Sequence, residues 1–300
     1  NQRLQRTGLT PGALRRPVLC EIRMNLKDLG FSDWFSAEAA ETVQPGQCVA
    51  RVVAVDRNAY IVRGKGEETA AELSGRFRFR IESTPDLPCV GDWVCIQQAS
   101  PELAIIHSVL PRKSFLRRKR PGKTVDFQMI AANIDVAFVV QSCHYDFNVR
   151  RLDRYLVACS DGGIEPVVIL SKIDLMTPDE VDGQILDIRG SGIAAQILPV
   201  SNTTGDGLER LRTLVEPGTT YCLIGSSGVG KSTLINRLME RNELETKAVS
   251  VTGEGTHTTS RRQLLVQDNG AMLIDTPGMR EFGLLGTVDG LDESFSEIHD

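Results

Sequence analysis

Residues 225–232 read Gly-Ser-Ser-Gly-Val-Gly-Lys-Ser. This G-x-x-x-x-G-K-[ST] run follows an apolar strand, Tyr221–Ile224, and opens a helix over Ser232–Leu238. Few folds accommodate that sequence of strand, glycine loop and helix. The glycines let successive backbone N–H groups turn toward a phosphate, and the helix N-terminus adds a favourable dipole. Lys231 supplies a point charge for the β- and γ-phosphates of a nucleotide. The Ser232 hydroxyl is a natural Mg²⁺ ligand. Gly225, Ser226, Ser227, Gly228, Val229, Gly230, Lys231, Ser232 and Thr233 are the expected phosphate-binding residues.

The surrounding texture agrees. From about Val125, apolar strand-length runs alternate with amphipathic stretches of helical spacing. Strands are expected at 134–142, 166–174, 195–201, 220–226, 262–268 and 270–278. Helices are expected at Arg150–Cys159, Pro178–Ile188, Gly207–Val215 and Lys231–Glu240. Strands apolar on both faces, joined by helical crossovers, mean a doubly wound α/β domain. The preceding region reads differently. Short β-rich runs at 48–56, 59–64, 71–81, 91–97 and 103–110 are separated by turn clusters, the size of a small closed barrel of the OB type. The expected organisation is an N-terminal extension over 1–45, an OB-like β-barrel over 46–111 and a basic linker over 112–124. A nucleotide-binding domain over 125–288 and the start of a C-terminal module over 289–300 complete it.

Two further motifs define the nucleotide chemistry. Asp275-Thr-Pro-Gly278 ends an apolar strand 44 residues beyond Lys231. A carboxylate at a strand C-terminus faces the ligand crevice of such a sheet. Asp275 therefore suits a second Mg²⁺ position, and the Gly278 N–H can approach a γ-phosphate. Between them lies Gly255-Thr-His-Thr-Thr-Ser260, where Thr258 or Thr259 is the candidate Mg²⁺-sensing threonine. Ser171-Lys172-Ile173-Asp174 ends an earlier strand and resembles the [NT]-K-x-D guanine motif of GTPases. There the Asp carboxylate accepts from the guanine N1–H and N2–H₂ edge, which adenine lacks. Ser201-Asn202 ends the next strand and resembles the loop that reads guanine O6. Ser171, Lys172, Asp174, Ser201 and Asn202 are the candidate guanine contacts.

In ordinary GTPases the base motifs follow the phosphate motifs; here they precede them. That order, behind a small barrel, resembles the circularly permuted GTPases of the RsgA/YjeQ (EngC) family over most of residues 46–285. The resemblance departs at Ser171, where the family pattern has Asn, with an expected loss of one bracing arm to the phosphate loop. It also departs at Thr256 and Ser260. The resemblance implies GTP hydrolysis to GDP and phosphate with Mg²⁺, in late maturation of the small (30S) ribosomal subunit, stimulated by the ribosome and with 16S rRNA contact. A cytoplasmic monomer with no membrane partner is expected. The resemblance offers His257 as the catalytic group that orients water, because Met279 occupies the position where a Ras-like enzyme carries Gln. Arg261 and Arg262 read as a strand start rather than a charge-stabilising finger. Gly228 replaces the Asn of cation-stimulated GTPases, which disfavours potassium activation. The family carries a C-terminal Zn²⁺ module, and residues 295–298 are similar to the stretch before its ligands. Zn²⁺ is thus expected only if the chain continues past Asp300. An ATPase, and an RNA-binding switch with negligible turnover, are the rival readings.

Net charge is −5, which argues against a general nucleic-acid binder, yet residues 112–123 hold seven Lys or Arg and no acid. Arg117, Arg118, Lys119 and Arg120 are the candidate RNA-phosphate contacts. Arg76, Phe77, Arg78, Phe79 and Arg80 on the barrel are further candidate RNA contacts; they read as a strand whose alternation puts the arginines on one face and the phenylalanines on the other, the latter favoured as core. The seven cysteines are scattered with no C-x-x-C pair, the usage of buried thiols in a reducing compartment. No apolar run approaches the roughly 20 residues of a membrane span.

Overall fold

The computed structural model describes residues 25–56, 59–119, 127–145, 147–239 and 262–275. A 3-10 turn, Leu26–Leu29, leads into α1, Asp33–Thr42. Five strands follow: β1 (Cys48–Asp56), β2 (Ala59–Arg63), β3 (Glu68–Leu73), then β4 (Trp93–Ser100) and β5 (Leu103–Val109), with the short helix α2 (Gly75–Arg80) after β3. They pair in the order β1-β2-β3-β5-β4, and β4 pairs back to β1 through Cys48↔Ile96 to Arg51↔Trp93. The sheet therefore closes into the expected OB-like barrel. Ala50, Val52, Tyr60, Val62, Val94, Ile96 and Ile106 fill it.

Three local expectations are corrected. Residues 26–43, read as part of an appendage, belong to the packed body. Leu29, Phe35 and Ala39 form one buried cluster with Trp93, Cys95 and Leu110 on the barrel. Residues 75–80, read as strand, are helical. Ser74 caps α2, its Oγ accepting from Phe77 N at 3.1 Å. The helix sends Phe77 toward the barrel core and leaves Phe79 92% exposed, so Phe79 is not the core residue expected. The basic segment is not an irregular linker over its described part. Phe115–Lys119 is strand β6, paired antiparallel with an unforeseen strand β7, Phe127–Ala132.

The remaining elements are β8 (Val136–Ser142), α3 (Val149–Asp161), β9 (Glu165–Ser171), α4 (Pro178–Gly190), β10 (Gln196–Val200) and α5 (Leu208–Thr213). Then come β11 (Thr220–Ile224), α6 (Lys231–Met239), β12 (Arg262–Val266) and β13 (Met272–Asp275). The strand order is β10-β9-β8-β11-β13-β12, parallel except for the antiparallel β12–β13 pair. Alternate residues face opposite layers. Ala137, Val139, Val168 and Ile224 pack toward Leu152 and Tyr155 of α3 and Ile188 of α4. Phe138, Val140, Ile169 and Leu223 pack toward Leu208 of α5 and Leu234 of α6. This is the doubly wound domain expected, with helices on both faces.

β12 also pairs with β1, through Ala54↔Gln263 and Val55↔Arg262. The barrel and the α/β sheet thus share one hydrogen-bonded ladder. No helix among the described residues is long and apolar enough to cross a membrane.

Candidate nucleotide-binding site

In a doubly wound sheet the ligand crevice lies beyond the strand C-termini where the chain order reverses. Here that point is the β8–β11 neighbour pair. The loop between β11 and α6 is the glycine run Gly225–Gly230. Gly225 has φ +144°, and a Cβ there would sit 2.2 Å from the Val140 carbonyl oxygen. Only glycine lets β11 leave the sheet so close to β8. Gly230 has φ +97°, which turns the loop into α6 with Lys231 as first helical residue. The amide groups of that first turn have no intrahelical acceptor and remain available to an anion. The Lys231 ammonium donates to the carbonyl oxygens of Gly225 at 2.8 Å and Ser226 at 2.5 Å.

Asp275 ends β13, the strand beside β11. Burial raises its carboxyl pKa, and the nearby Lys231 ammonium opposes that shift. A partly buried carboxylate facing a lysine is suited to a site that gathers phosphate and a divalent cation. Ser232, exposed on the first turn of α6, adds a hydroxyl oxygen. Each offers a hard oxygen of the kind Mg²⁺ takes together with phosphate and water.

The base motif stands beside the phosphate loop. Ser171 is buried at the end of β9. Its hydroxyl donates to the Val229 carbonyl oxygen at 2.7 Å. The shorter Ser side chain thus keeps one bond to the phosphate loop. Lys172 adopts φ +64°, a left-handed conformation uncommon for a lysine, and turns the chain into the 3-10 turn Ile173–Leu175. Ser201 Oγ donates to Asp174 Oδ1 at 2.6 Å, joining the ends of β9 and β10. It also accepts from the amides of Thr203 and Thr204. Asn202 Nδ2 donates to the Gly230 carbonyl oxygen at 3.2 Å, and Arg237 of α6 donates to the Asn202 carbonyl oxygen. Residues from three loops are thus tied into one rim. Val140 and Arg237 were not singled out in the sequence, because neither carries a motif signal.

His257, Thr258, Thr259, Arg261, Gly278, Met279 and Arg120 lie outside the described residues, as do residues 1–24 and 289–300. Arg262 begins β12 as expected, and its guanidinium donates to the Met129 carbonyl oxygen. Arg117 and Arg118 are engaged within the protein. The Arg117 guanidinium lies 5.2 Å from the Phe115 ring and 4.4 Å from the Phe127 ring, and pairs with Asp161 at 3.0 Å. Arg118 donates twice to Gln128 Oε1. Lys119 is half-buried. No group of three or more His, Cys, Asp or Glu able to hold a metal occurs among the described residues.

A family model described as RsgA GTPase matches residues 109–285. The small ribosomal subunit biogenesis GTPase RsgA 2 of Lactiplantibacillus plantarum is 38% identical over 264 residues, 88% of this chain and 74% of its own. The chain belongs to the RsgA GTPase family. It is accordingly a GTP-hydrolysing enzyme. A second RsgA GTPase, from Syntrophotalea carbinolica, is 36% identical over 288 residues, 92% of this chain and 77% of its own. The crystal structure of YjeQ from Thermotoga maritima matches with TM-score 0.58 at 27% identity, covering 77% of this chain and 75% of that one. The structure of YloQ, a circularly permuted GTPase, shares the fold with TM-score 0.53 at 20% identity, covering 79% and 73%. The β9 and β10 motifs preceding the β11 loop in this RsgA GTPase match that permuted arrangement.

Proposed function

We propose that this enzyme converts GTP and water to GDP and phosphate as a maturation factor for the small ribosomal subunit, in the cytoplasm and as a monomer. The carrying observation is the shared rim of base and phosphate motifs, with Ser171 bonded to Val229 and Ser201 bonded to Asp174. Asp174, exposed at the rim, keeps acceptor capacity for the guanine N1–H and N2–H₂ groups while Ser201 fixes its orientation. That chemistry favours GTP over ATP. Lys172 packs its stem along the base, and Asn202 presents the loop that reads O6. The names of the relatives as small ribosomal subunit biogenesis GTPases supply the partner.

The phosphates lie along Gly225–Thr233, with the Lys231 ammonium leaving its loop carbonyls for the β–γ bridge. Ser232 and Asp275, with Thr258 or Thr259, hold Mg²⁺, which when bound offsets the charge of the β- and γ-phosphates. Water attacks the γ-phosphorus in line, the bond to the β–γ bridging oxygen breaks, and GDP and phosphate leave. His257 orients that water on its imidazole, a positioning role sufficient for a loose transition state. The Gly278 amide contacts the γ-phosphate.

Contact with 16S rRNA runs along the barrel side. On α2, Arg76, Arg78 and Arg80 are exposed around Phe79. Phosphate attraction with base stacking is the usual combination for single-stranded RNA. Arg117–Arg120 contribute as a secondary basic edge.

The test is GTP hydrolysis with and without purified 30S subunits, for the unaltered chain and His257→Ala. Stimulation by subunits, lost by on the order of 10²-fold in the variant with GDP affinity retained, supports the proposal. Turnover unchanged by subunits would reject the ribosomal role. Competition of a labelled nucleotide by ADP as well as by GDP would reject the guanine reading.

A further inference from the structure

Arg51 of β1 is a charged side chain only 1% exposed, and five acceptors from separate parts of the fold converge on it. Its Nε donates to the Gly91 carbonyl oxygen at 3.1 Å. Nη1 donates to the Leu29 carbonyl oxygen at 2.6 Å and meets Met272 Sδ at 3.1 Å. Nη2 donates to the Asn133 carbonyl oxygen and to Thr220 Oγ1, each at 3.0 Å. A buried guanidinium tolerates such a site only when its donors are satisfied. Burial pushes its pKa down to about 10, so the charge persists at neutral pH.

Two of those acceptors are partners of each other. Thr220 opposite Met272 is the first pair of the β11–β13 ladder, followed by Tyr221 opposite Leu273 and Cys222 opposite Ile274. One barrel side chain therefore grips both strands at the end of a three-pair ladder. Beyond the other end, β11 runs into the Gly225–Gly230 loop and β13 ends in Asp275. We infer that Arg51 is a positioning residue for the nucleotide site, holding β11 and β13 in the offset that sets Asp275 against Lys231 and Ser232. This rests on the reading of Ser232 and Asp275 as the magnesium side of the site.

The two halves of that site differ in their sensitivity. The phosphate cradle is built within one continuous segment, Gly225–Ser232, and moves as a unit. The distance from Ser232 to Asp275 spans two strands and depends on their ladder. Mg²⁺ demands near-octahedral geometry with oxygens at roughly 2.0–2.1 Å, so a shift of a few tenths of an ångström affects it first. Loss of the clamp acts on Mg²⁺ dependence and leaves phosphate and base recognition in place. It also makes the barrel, through β1, a handle on the site.

The experiment measures binding of a fluorescent non-hydrolysable GTP analogue against Mg²⁺ concentration, with GDP affinity in EDTA beside it. The variants are Thr220→Val, Thr220→Ser, Arg51→Met and Asp275→Asn. Thr220→Val removes one acceptor at constant volume, and Thr220→Ser restores it. Thr220→Val and Arg51→Met should raise the half-saturating Mg²⁺ concentration about three- to tenfold, the scale of one hydrogen bond. Thr220→Ser should match the unaltered chain, and GDP affinity in EDTA should stay within about twofold in all three. Simple destabilisation lowers the competent fraction and so weakens GDP binding in EDTA as well, which loss of the clamp does not. Should Arg51→Met not fold, Thr220→Val decides alone. An unchanged midpoint in Thr220→Val beside a raised one in Asp275→Asn overturns the clamp. Equal rises in Thr220→Val and Thr220→Ser also overturn it, by assigning the effect to packing. An unchanged midpoint in Asp275→Asn overturns the magnesium reading itself, and the clamp's role with it.

Discussion

The Ser171 hydroxyl reaches the Val229 carbonyl oxygen across 2.7 Å, linking the end of β9 to the phosphate loop. Residues 58 positions apart in the chain thereby join the end of β9 to the loop between β11 and α6, the two segments proposed to take the base and the phosphates. A second, longer contact to the Gln141 carbonyl oxygen ties the same hydroxyl to β8.

Replacing Ser171 by Ala should leave the Val229 carbonyl oxygen without this donor in a buried place. GDP affinity should fall about five- to tenfold, the cost of one unmade hydrogen bond. Isothermal titration with GDP checks this. Full affinity would mean that Val229 is held by its own loop.

Asp174→Asn exchanges an acceptor for a donor at the guanine edge while Ser201 still anchors the side chain. GDP affinity should drop on the order of 10²-fold, since the bonds lost involve a charged acceptor. XDP affinity should rise, because the xanthine C2 oxygen accepts from the new amide. Paired titrations with GDP and XDP give the ratio, and an unmoved ratio would exclude Asp174 as the base reader.

The exposed α2 surface should contribute to association with the 30S subunit in two separable ways. Phe79→Ala should weaken it about tenfold with little change in salt dependence, as a lost stacking contact does. Arg76→Ala with Arg80→Ala should weaken it and flatten the salt slope. Co-sedimentation across a salt series distinguishes the two. GDP affinity should be untouched in both.

The barrel depends on a buried ion pair. Asp92 is fully buried; its two oxygens accept from Arg112 at 2.8 and 2.7 Å, and one also accepts from Cys89 N. Arg112 further donates to the Pro85 and Leu87 carbonyl oxygens, fastening the chain between α2 and β4. Asp92→Leu leaves that guanidinium without its counter-charge and should cost about 3–5 kcal/mol. Urea unfolding followed by circular dichroism measures the loss, and a cost under about 1 kcal/mol would mark the pair as replaceable.

The amino-acid order alone determined the phosphate loop, the doubly wound class and the placing of base motifs before phosphate motifs. Each rests on short-range rules: apolar periodicity, helix starts and glycine spacing. Local reading failed at residues 75–80. Alternating Arg and Phe carry the period of a strand, but the Ser74 cap and the seating of Phe77 on the barrel favour a helix. It failed again over 115–119, read as part of a linker: Phe115–Lys119 pairs with Phe127–Ala132 as a strand, and Arg117 and Arg118 also meet Phe115, Phe127 and Gln128 there.

Only the tertiary structure decided that Ser171 reaches Val229, that β1 pairs with β12, and that Arg51 joins the barrel to the β11–β13 ladder. Arg51 meets Thr220 and Met272 across 169 and 221 residues. Such contacts leave no local pattern, because they arise only when separately folded layers close over a charge that must find its acceptors inside.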